Sequence, residues 1–291
     1  MQNNIENIIT VIDHIENNLN EKLNLTSIAN AAGYSKYHLH RMFHDTVGLS
    51  IHDYVRRRQL TEAAKLLVFS NKSILEIAFL SGYDSQQAFT TVFKQMYKKS
   101  PNEYRLNQEF YPLQLRFILK KELATTSLSD DIKANITLAT ISDIPLWLDL
   151  VHLIIDGFPN LKEDEYLEYL KKSIYENRAF ILKDKHIAIA VMAINYDSKS
   201  IDFFGVHPLY RKCEIPKLFL EKVLNEFLKG EEISITTFRE GDKADTGYRK
   251  TYKELGFAEA ELLIEFGYPT QRLVLTPLTG GNKNESIRKQ S

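Results

Sequence analysis

The 291-residue chain has one cysteine, Cys213, and one tryptophan. A single thiol excludes an internal disulfide framework and a four-thiolate metal site, and suits a reducing compartment. No stretch approaches 18 uninterrupted apolar residues, so no membrane-spanning helix is predicted. The opening residues, MQNNIENIITVIDHIENN, carry Glu6, Asp13 and Glu16 and lack the basic start and apolar centre of a signal peptide. A cytoplasmic location without membrane contact is expected. No Ser-His-Asp order, metal-ligand cluster or P-loop is apparent, and no metal site is expected. At roughly 150 residues per domain, the length predicts about two domains, each with its own core.

The net charge of −1 hides an uneven distribution. Residues 22–108 carry 12 Lys and Arg against six acids, whereas residues 109–291 carry 25 against 28. The basic excess of the first part makes a polyanion partner plausible.

That first part contains an internal repeat. IANAAGYS (28–35) pairs with IAFLSGYDS (77–85), and Phe43, Ser50 and Tyr54 pair with Phe93, Ser100 and Tyr104 at one offset of 50 residues. Each copy opens with apolar residues at helical spacing: Leu25, Ile28, Ala29 and Ala32, then Ile74, Ile77, Ala78 and Ser81. Each has Ala four residues before Gly. The small Ala lets a second helix approach, and Gly33 or Gly82 supplies the positive φ of a tight turn. Ser35 and Ser85 then predict N-caps for helices running to about Val47 and Tyr97. Residues 52–69, HDYVRRRQLTEAAKLLVF, predict one long connecting helix. This is a helix-turn-helix present twice; ordinary helical bundles share its Ala-Gly spacing, but the duplication and basic excess favour a DNA-binding reading.

GYSKYHLHRMF, RRRQLTEAAKLL, ILEIAFLSGYDSQQAFTTVFK and SPNEYR resemble the signature of AraC/XylS-type transcription regulators, in particular the multiple-antibiotic-resistance and superoxide-response branch. The match covers nearly all of residues 5–107. It implies that two recognition helices enter successive major-groove segments of double-stranded DNA, with RNA polymerase as a protein partner. Carried over, the base-reading candidates are Tyr37, His40 and Arg41 on the first helix and Gln86, Gln87 and Thr91 on the second. Their chemistry agrees: Arg pairs with guanine, Gln with adenine, and an aromatic edge meets the thymine methyl. Arg41 also fits a phosphate contact or a solvated charge, and Gln86 and Gln87 a polar helix start. Arg56 and Arg57 fit phosphate contacts and equally a solvated face, while Arg58 falls where the family has an Arg with a largely structural role. Where the family has Gly before the second SP, this chain has Lys98, which puts the second helix's C-cap in question; Gly48 keeps that role in the first copy.

The stretch FYPLQLRFILKKEL after Arg105 is apolar without clear period, and ATTSLSDD (124–131) reads as a polar linker. The expected organisation is a DNA-binding domain at 1–108, a linker at 109–133, a second domain at 134–278 and a disordered tail at 279–291. Alternating strand and helix patterns predict a second domain of α+β class: strands near 136–140, 179–183, 186–194, 200–206 and 233–238, then a pair near the end, with helices between. The whole is expected to be all-α tandem helix-turn-helix followed by a mixed sheet with helices.

Across residues 134–278 the pattern also resembles GNAT acetyltransferases, through FFGVHPLYRKCEIPKLFLEKVL and YKELGF (252–257). The resemblance implies acetyl-CoA held by Arg211 and Lys212, and places Tyr252 where such enzymes have a general acid; a tyrosine packed on the sheet fits equally. Asp202 and His207 flank the strand end where a base acts, and a structural role fits them too. The pyrophosphate loop departs from the pattern: its glycine positions are Glu214 and Pro216. Proline donates no N–H, and Glu214 puts negative charge where a polyanion would sit. Acetyl-CoA is thereby disfavoured. The expectation is a DNA-binding transcription regulator whose second domain senses a small-molecule effector or docks a partner; the alternative is a bifunctional DNA-binding N-acetyltransferase.

Overall fold

The structure is a computed structural model that describes residues 2–119, 135–154, 163–184, 187–211, 213–265 and 267–277. Seven helices come first: α1 (Gln2–Asn17), α2 (Leu25–Ala31), α3 (Lys36–Val47), α4 (Ile51–Phe69), α5 (Ile74–Leu80), α6 (Gln86–Tyr97) and α7 (Pro101–Asn107). The repeat is visible in the capping. Ser35 accepts from His38 N at 3.3 Å, and Ser85 from Ala88 N at 3.2 Å. At the turns, Tyr34 N donates to Ala29 O at 2.9 Å and Tyr83 N to Ala78 O at 3.0 Å, while Gly33 and Gly82 take φ of 71° and 75°. The apolar faces expected from the spacing are inside: Ile28, Ala29, Leu39 and Phe43 in the first copy, Ile77, Ala78, Phe89 and Phe93 in the second.

The long helix α4 joins the copies and carries buried polar anchors. Arg58 donates to Glu16 at 2.8 Å, to Glu62 at 3.0 Å and to Gln114 O at 3.0 Å. Burial opposes that charge, but the hydrogen bonds and charge of Glu16 outweigh it and hold the guanidinium more firmly protonated than usual. The start of the expected linker is a packed strap rather than a spacer. Leu113 N and Gln114 N donate to Thr61 Oγ1 at 3.0 and 3.2 Å, Phe117 N donates to Tyr54 Oη at 3.1 Å, and Tyr111, Leu113 and Phe117 are buried. The remainder of the linker, from residue 120, and the tail from residue 279 lie outside the described residues.

The second domain is a seven-stranded sheet in the order β1-β2-β3-β4-β5-β7-β6. Its strands are β1 (Thr137–Leu138), β2 (Ala179–Asp184), β3 (Ile187–Asn195), β4 (Ser200–Val206), β5 (Ile233–Phe238), β6 (Ala258–Glu265) and β7 (Tyr268–Leu275). The helices are α8 (Ile144–Ile154), α9 (Glu163–Tyr175), α10 (Ile215–Lys222) and α11 (Tyr248–Glu254). Both faces are covered, which is why β2 and β3 read as continuous apolar runs. Ala179 and Ile181 pack with Trp147, Leu150 and Leu170 on one face, and Phe180 and Leu182 with Phe219, Val223 and Tyr252 on the other. The segment between β4 and β5 is α-helical from Ile215 to Lys222 and finishes in a π turn over Val223–Phe227. Every strand pair is antiparallel except β4 with β5. That pair is held only at Ser200–Ser234 and Ile201–Ile235, beyond which the strands part.

Candidate nucleic-acid interface

On α3, Leu39, Met42, Phe43, Thr46 and Val47 face the core. Four of the seven remaining positions form an outward stripe at helical spacing, Tyr37, His40, Arg41 and His44, all exposed, Tyr37 at 90%. On α6 the buried face is Phe89, Phe93, Met96 and Tyr97, and Gln86, Gln87 and Thr91 are exposed, with Lys94 and Gln95 further along. All six base-reading candidates therefore lie on the solvent faces of two equivalent helices. His44 and Lys94 join these faces. Sequence reasoning passed over both, although each lies three residues beyond a named candidate on the same stripe.

The two helices differ in chemistry. The first offers cationic, aromatic and imidazole groups, and the second amides and a hydroxyl before Lys94. Thr91 Oγ1 donates to Gln87 O at 2.9 Å, which fixes the hydroxyl against its own helix.

The arginines at 56–58 separate by position on α4. Arg56 is half-exposed and lies 3.1 Å from His52 Nε2 and 4.0 Å from Asp53 Oδ1. Arg57 corrects its expected phosphate role: it is 2% exposed and donates to Ala244 O of the second domain at 2.6 Å. A residue turns about 100° around a helix from its neighbour, so three consecutive arginines cannot share a face. Arg58 is the internal anchor described above.

The ends of α3 and α6 meet the second domain. Gly48 caps α3 at φ 78°, and a Cβ there would lie 2.5 Å from Arg211 Nη1. Lys98 caps α6 in the same left-handed conformation, φ 60°, without being glycine. Its Nζ donates to Gln95 O at 2.7 Å and to Asp242 Oδ1 at 2.8 Å. The Asp242 side chain is 4% exposed and also accepts from Tyr268 Oη at 3.1 Å and Ala244 N at 2.9 Å. The cap questioned on sequence grounds is thus formed, and its lysine is used at a domain boundary.

Arg211, expected at a cofactor phosphate, has its guanidinium against Gly48 and 5.6 Å from the Tyr248 ring centre. Lys212 lies outside the described residues. Tyr252 is 5% exposed, packed edge-on to Phe257, and lines the gap between β4 and β5. His207 is buried and its Nδ1 accepts from Leu209 N at 3.3 Å. Burial, with the charge of Arg211, lowers its pKa to about 3, so it is a neutral packing group at ordinary pH. Among the described residues there is no group of three His, Cys, Asp or Glu able to hold a metal, and no helix is long and apolar enough to cross a membrane.

A family model described as a helix-turn-helix domain matches residues 28–107. The transposon Tn10 TetD protein of Escherichia coli is 45% identical over 94 residues, 32% of this chain and 68% of that protein. The chain belongs to the AraC-type helix-turn-helix family. Within it, the multiple antibiotic resistance protein MarA of Escherichia coli strain K12 is 41% identical over 99 residues, 34% of this chain and 78% of that protein. For the AraC-type chain's remaining length, a GNAT-family acetyltransferase structure from Bacillus cereus ATCC 10987 is similar at 21% identity and a TM-score of 0.38, covering 49% of this chain and 96% of that one.

Proposed function

We propose that this AraC-type transcription regulator binds DNA sequence-specifically through α3 and α6 together, and that its second domain receives a small-molecule signal. The observation that carries the reading is the pair of 12-residue helices with solvent-facing Tyr37, His40 and Arg41, and Gln86, Gln87 and Thr91. The 19-residue α4 between the copies is about 28 Å long at 1.5 Å per residue, comparable with the pitch of B-DNA. One chain can then present both helices to one face of a duplex. Arg41 would read guanine and Gln87 adenine, with Arg56 on phosphate. RNA polymerase as the protein partner rests on the family resemblance.

The division into a DNA-binding unit at 1–108 and a second domain at 134–278 is retained in this reading, with the strap at 109–119 belonging structurally to the first unit. Acetyl-CoA does not fit the residues present. Arg211 is turned to Gly48 and Tyr248, Pro216 at the start of α10 offers no N–H, and Glu214 stands at that helix's positive end. A sensing role for the second domain is accordingly favoured over acetyl transfer.

The test is selection of duplexes from a random pool by the full chain, followed by affinity measurement as salt is raised. A defined sequence and a steep fall in affinity with salt are expected. Recovery of no preferred sequence would overturn the reading.

A further inference from the structure

We propose that the gap between β4 and β5 is an effector site for a small organic cation, and that its occupancy is relayed to both recognition helices through two side-chain arms. This rests on the sensing role proposed above and adds the ligand's chemistry and the route.

The gap is a cavity of about 490 Å³, opened where β4 and β5 part after two residues of pairing. That volume lies in the range of small-molecule sites. Its walls are rich in aromatic rings, among them Tyr166, Tyr169, Tyr248 and Tyr252, and it also presents the carboxylates of Asp202 and Glu265. Arg272, the one guanidinium on the wall among the described residues, is paired with Glu261 at 3.0 Å. Asp202 is held in place by Tyr169 Oη at 2.8 Å and Ser200 Oγ at 2.6 Å. Four tyrosine side chains in one wall, beside a carboxylate held in place, suit a cation with an apolar body.

Two cavity-wall rings connect to the caps of the recognition helices. Tyr248 lies under the guanidinium of Arg211, and the same guanidinium packs on Gly48, the cap of α3. Phe238 also lines the cavity, with its ring 5.7 Å from and edge-on to Tyr268. Tyr268 donates to Asp242, and Asp242 binds Lys98, the cap of α6. A ligand that moves Tyr248 and Phe238 therefore acts on the ends of both DNA-reading helices, with no contact to DNA itself. Lys98 gains a reason to stand where glycine would be unstrained: glycine cannot reach Asp242.

The test is calorimetric titration of the full chain with benzyltrimethylammonium, benzyl alcohol and benzoate. A quaternary ammonium has no N–H to acylate, so it reports binding alone. The cation is expected to bind about tenfold or more tightly than the neutral alcohol, with no binding of benzoate. Asp202→Asn and Glu265→Gln should each weaken it while leaving the circular dichroism of the chain unchanged. Affinity for the selected duplex should change about fivefold or more when the cation is present. Arg211→Ala combined with Lys98→Gly should keep cation binding and lose that change. Absence of cation binding, preference for benzoate, or cation binding without any effect on DNA affinity would each overturn the proposal, as would displacement of the cation by acetyl-CoA with acetyl transfer to an amine. DNA binding measured without the cation stands or falls separately, so failure of the regulator reading is distinguishable from failure of this one.

Discussion

The two helix-turn-helix copies share their turns, N-caps and core pattern, and differ in what lies behind them. The first copy is backed by α1, whose Ile5, Ile8, Ile12 and Ile15 pack with Leu39 and Phe43. The second is backed by α4 and α7, whose Leu60, Ala63, Ala64, Leu67 and Tyr104 pack with Phe89 and Phe93. Its core is completed by Phe238, Ala244 and Tyr268 of the second domain, packed with Phe89, Phe93 and Met96. The caps follow the same division: a glycine with Arg211 leaning on it, and a lysine held by a buried aspartate. A repeated unit has thus been finished in two ways: the second domain meets the first copy's core through the partly buried Leu153, Ile187 and Leu209, and the second copy's through the buried Phe238, Ala244 and Tyr268.

The largest expected effect tests the support shared by both copies. Arg58→Met leaves Glu16, whose side chain is 7% exposed, without its main cation, and breaking such a buried pair should cost about 3–5 kcal/mol in denaturant unfolding. A loss below about 1 kcal/mol would mean that α4 is anchored by its apolar contacts alone.

Next is the acid response beneath the first copy, where Leu209 beside His207 packs against its core. His207 is buried neutral with a folded pKa of about 3, below the ordinary value of about 6.5. Between those values the unfolded chain binds the extra proton, so stability is full above about pH 6.5 and falls as pH drops towards 3, by up to about 1.4 kcal/mol per pH unit. His207→Gln should flatten this part of the profile of melting temperature against pH, and an unchanged slope would assign the acid sensitivity to other groups.

The recognition helices themselves should separate in their salt response. Arg41→Ala is expected to weaken specific binding by about 1–3 kcal/mol, relax preference at one base position and reduce the salt dependence. Gln87→Ala should relax a different position and leave the salt dependence unchanged, because no charge is removed. Base preferences indifferent to both substitutions would remove the direct-readout assignment.

The smallest effects lie at the caps and address the comparison most finely. Gly48→Ala adds a left-handed alanine at a cost of about 1–2 kcal/mol and presses on Arg211. Lys98→Gly relieves a similar strain but gives up the Asp242 ion pair. A double-mutant cycle of Lys98→Gly with Asp242→Asn in the full chain should show a coupling of about 0.5–3 kcal/mol. Additive effects would mean that the contact contributes nothing to docking.

The repeat and its caps were legible because local rules determine them: Ser before each recognition helix, Ala four before Gly, and apolar residues at helical spacing. The strands at 179–184 and 187–195 were legible because a sheet covered on both faces leaves long apolar runs. Contacts across the chain were not. Arg57 and Ala244 are 187 residues apart, and nothing near RRR says which of three arginines turns inward. The partner of Lys98 is 144 residues away, although its departure from glycine marked the position as unusual. The strap at 109–119 has no helical or strand period because its backbone is held by side chains of α4, Thr61 and Tyr54.

The central claim is that one chain holds two recognition helices at a fixed separation along a duplex. The direct measurement inserts five and then ten base pairs between the two segments of a selected duplex whose preferences respond to Arg41→Ala and to Gln87→Ala. A rigid α4 predicts that both insertions drop binding by the full chain towards the non-specific level, about 10³-fold weaker or more. Affinity that survives either insertion would contradict the account, since the two helices would then be reading DNA independently.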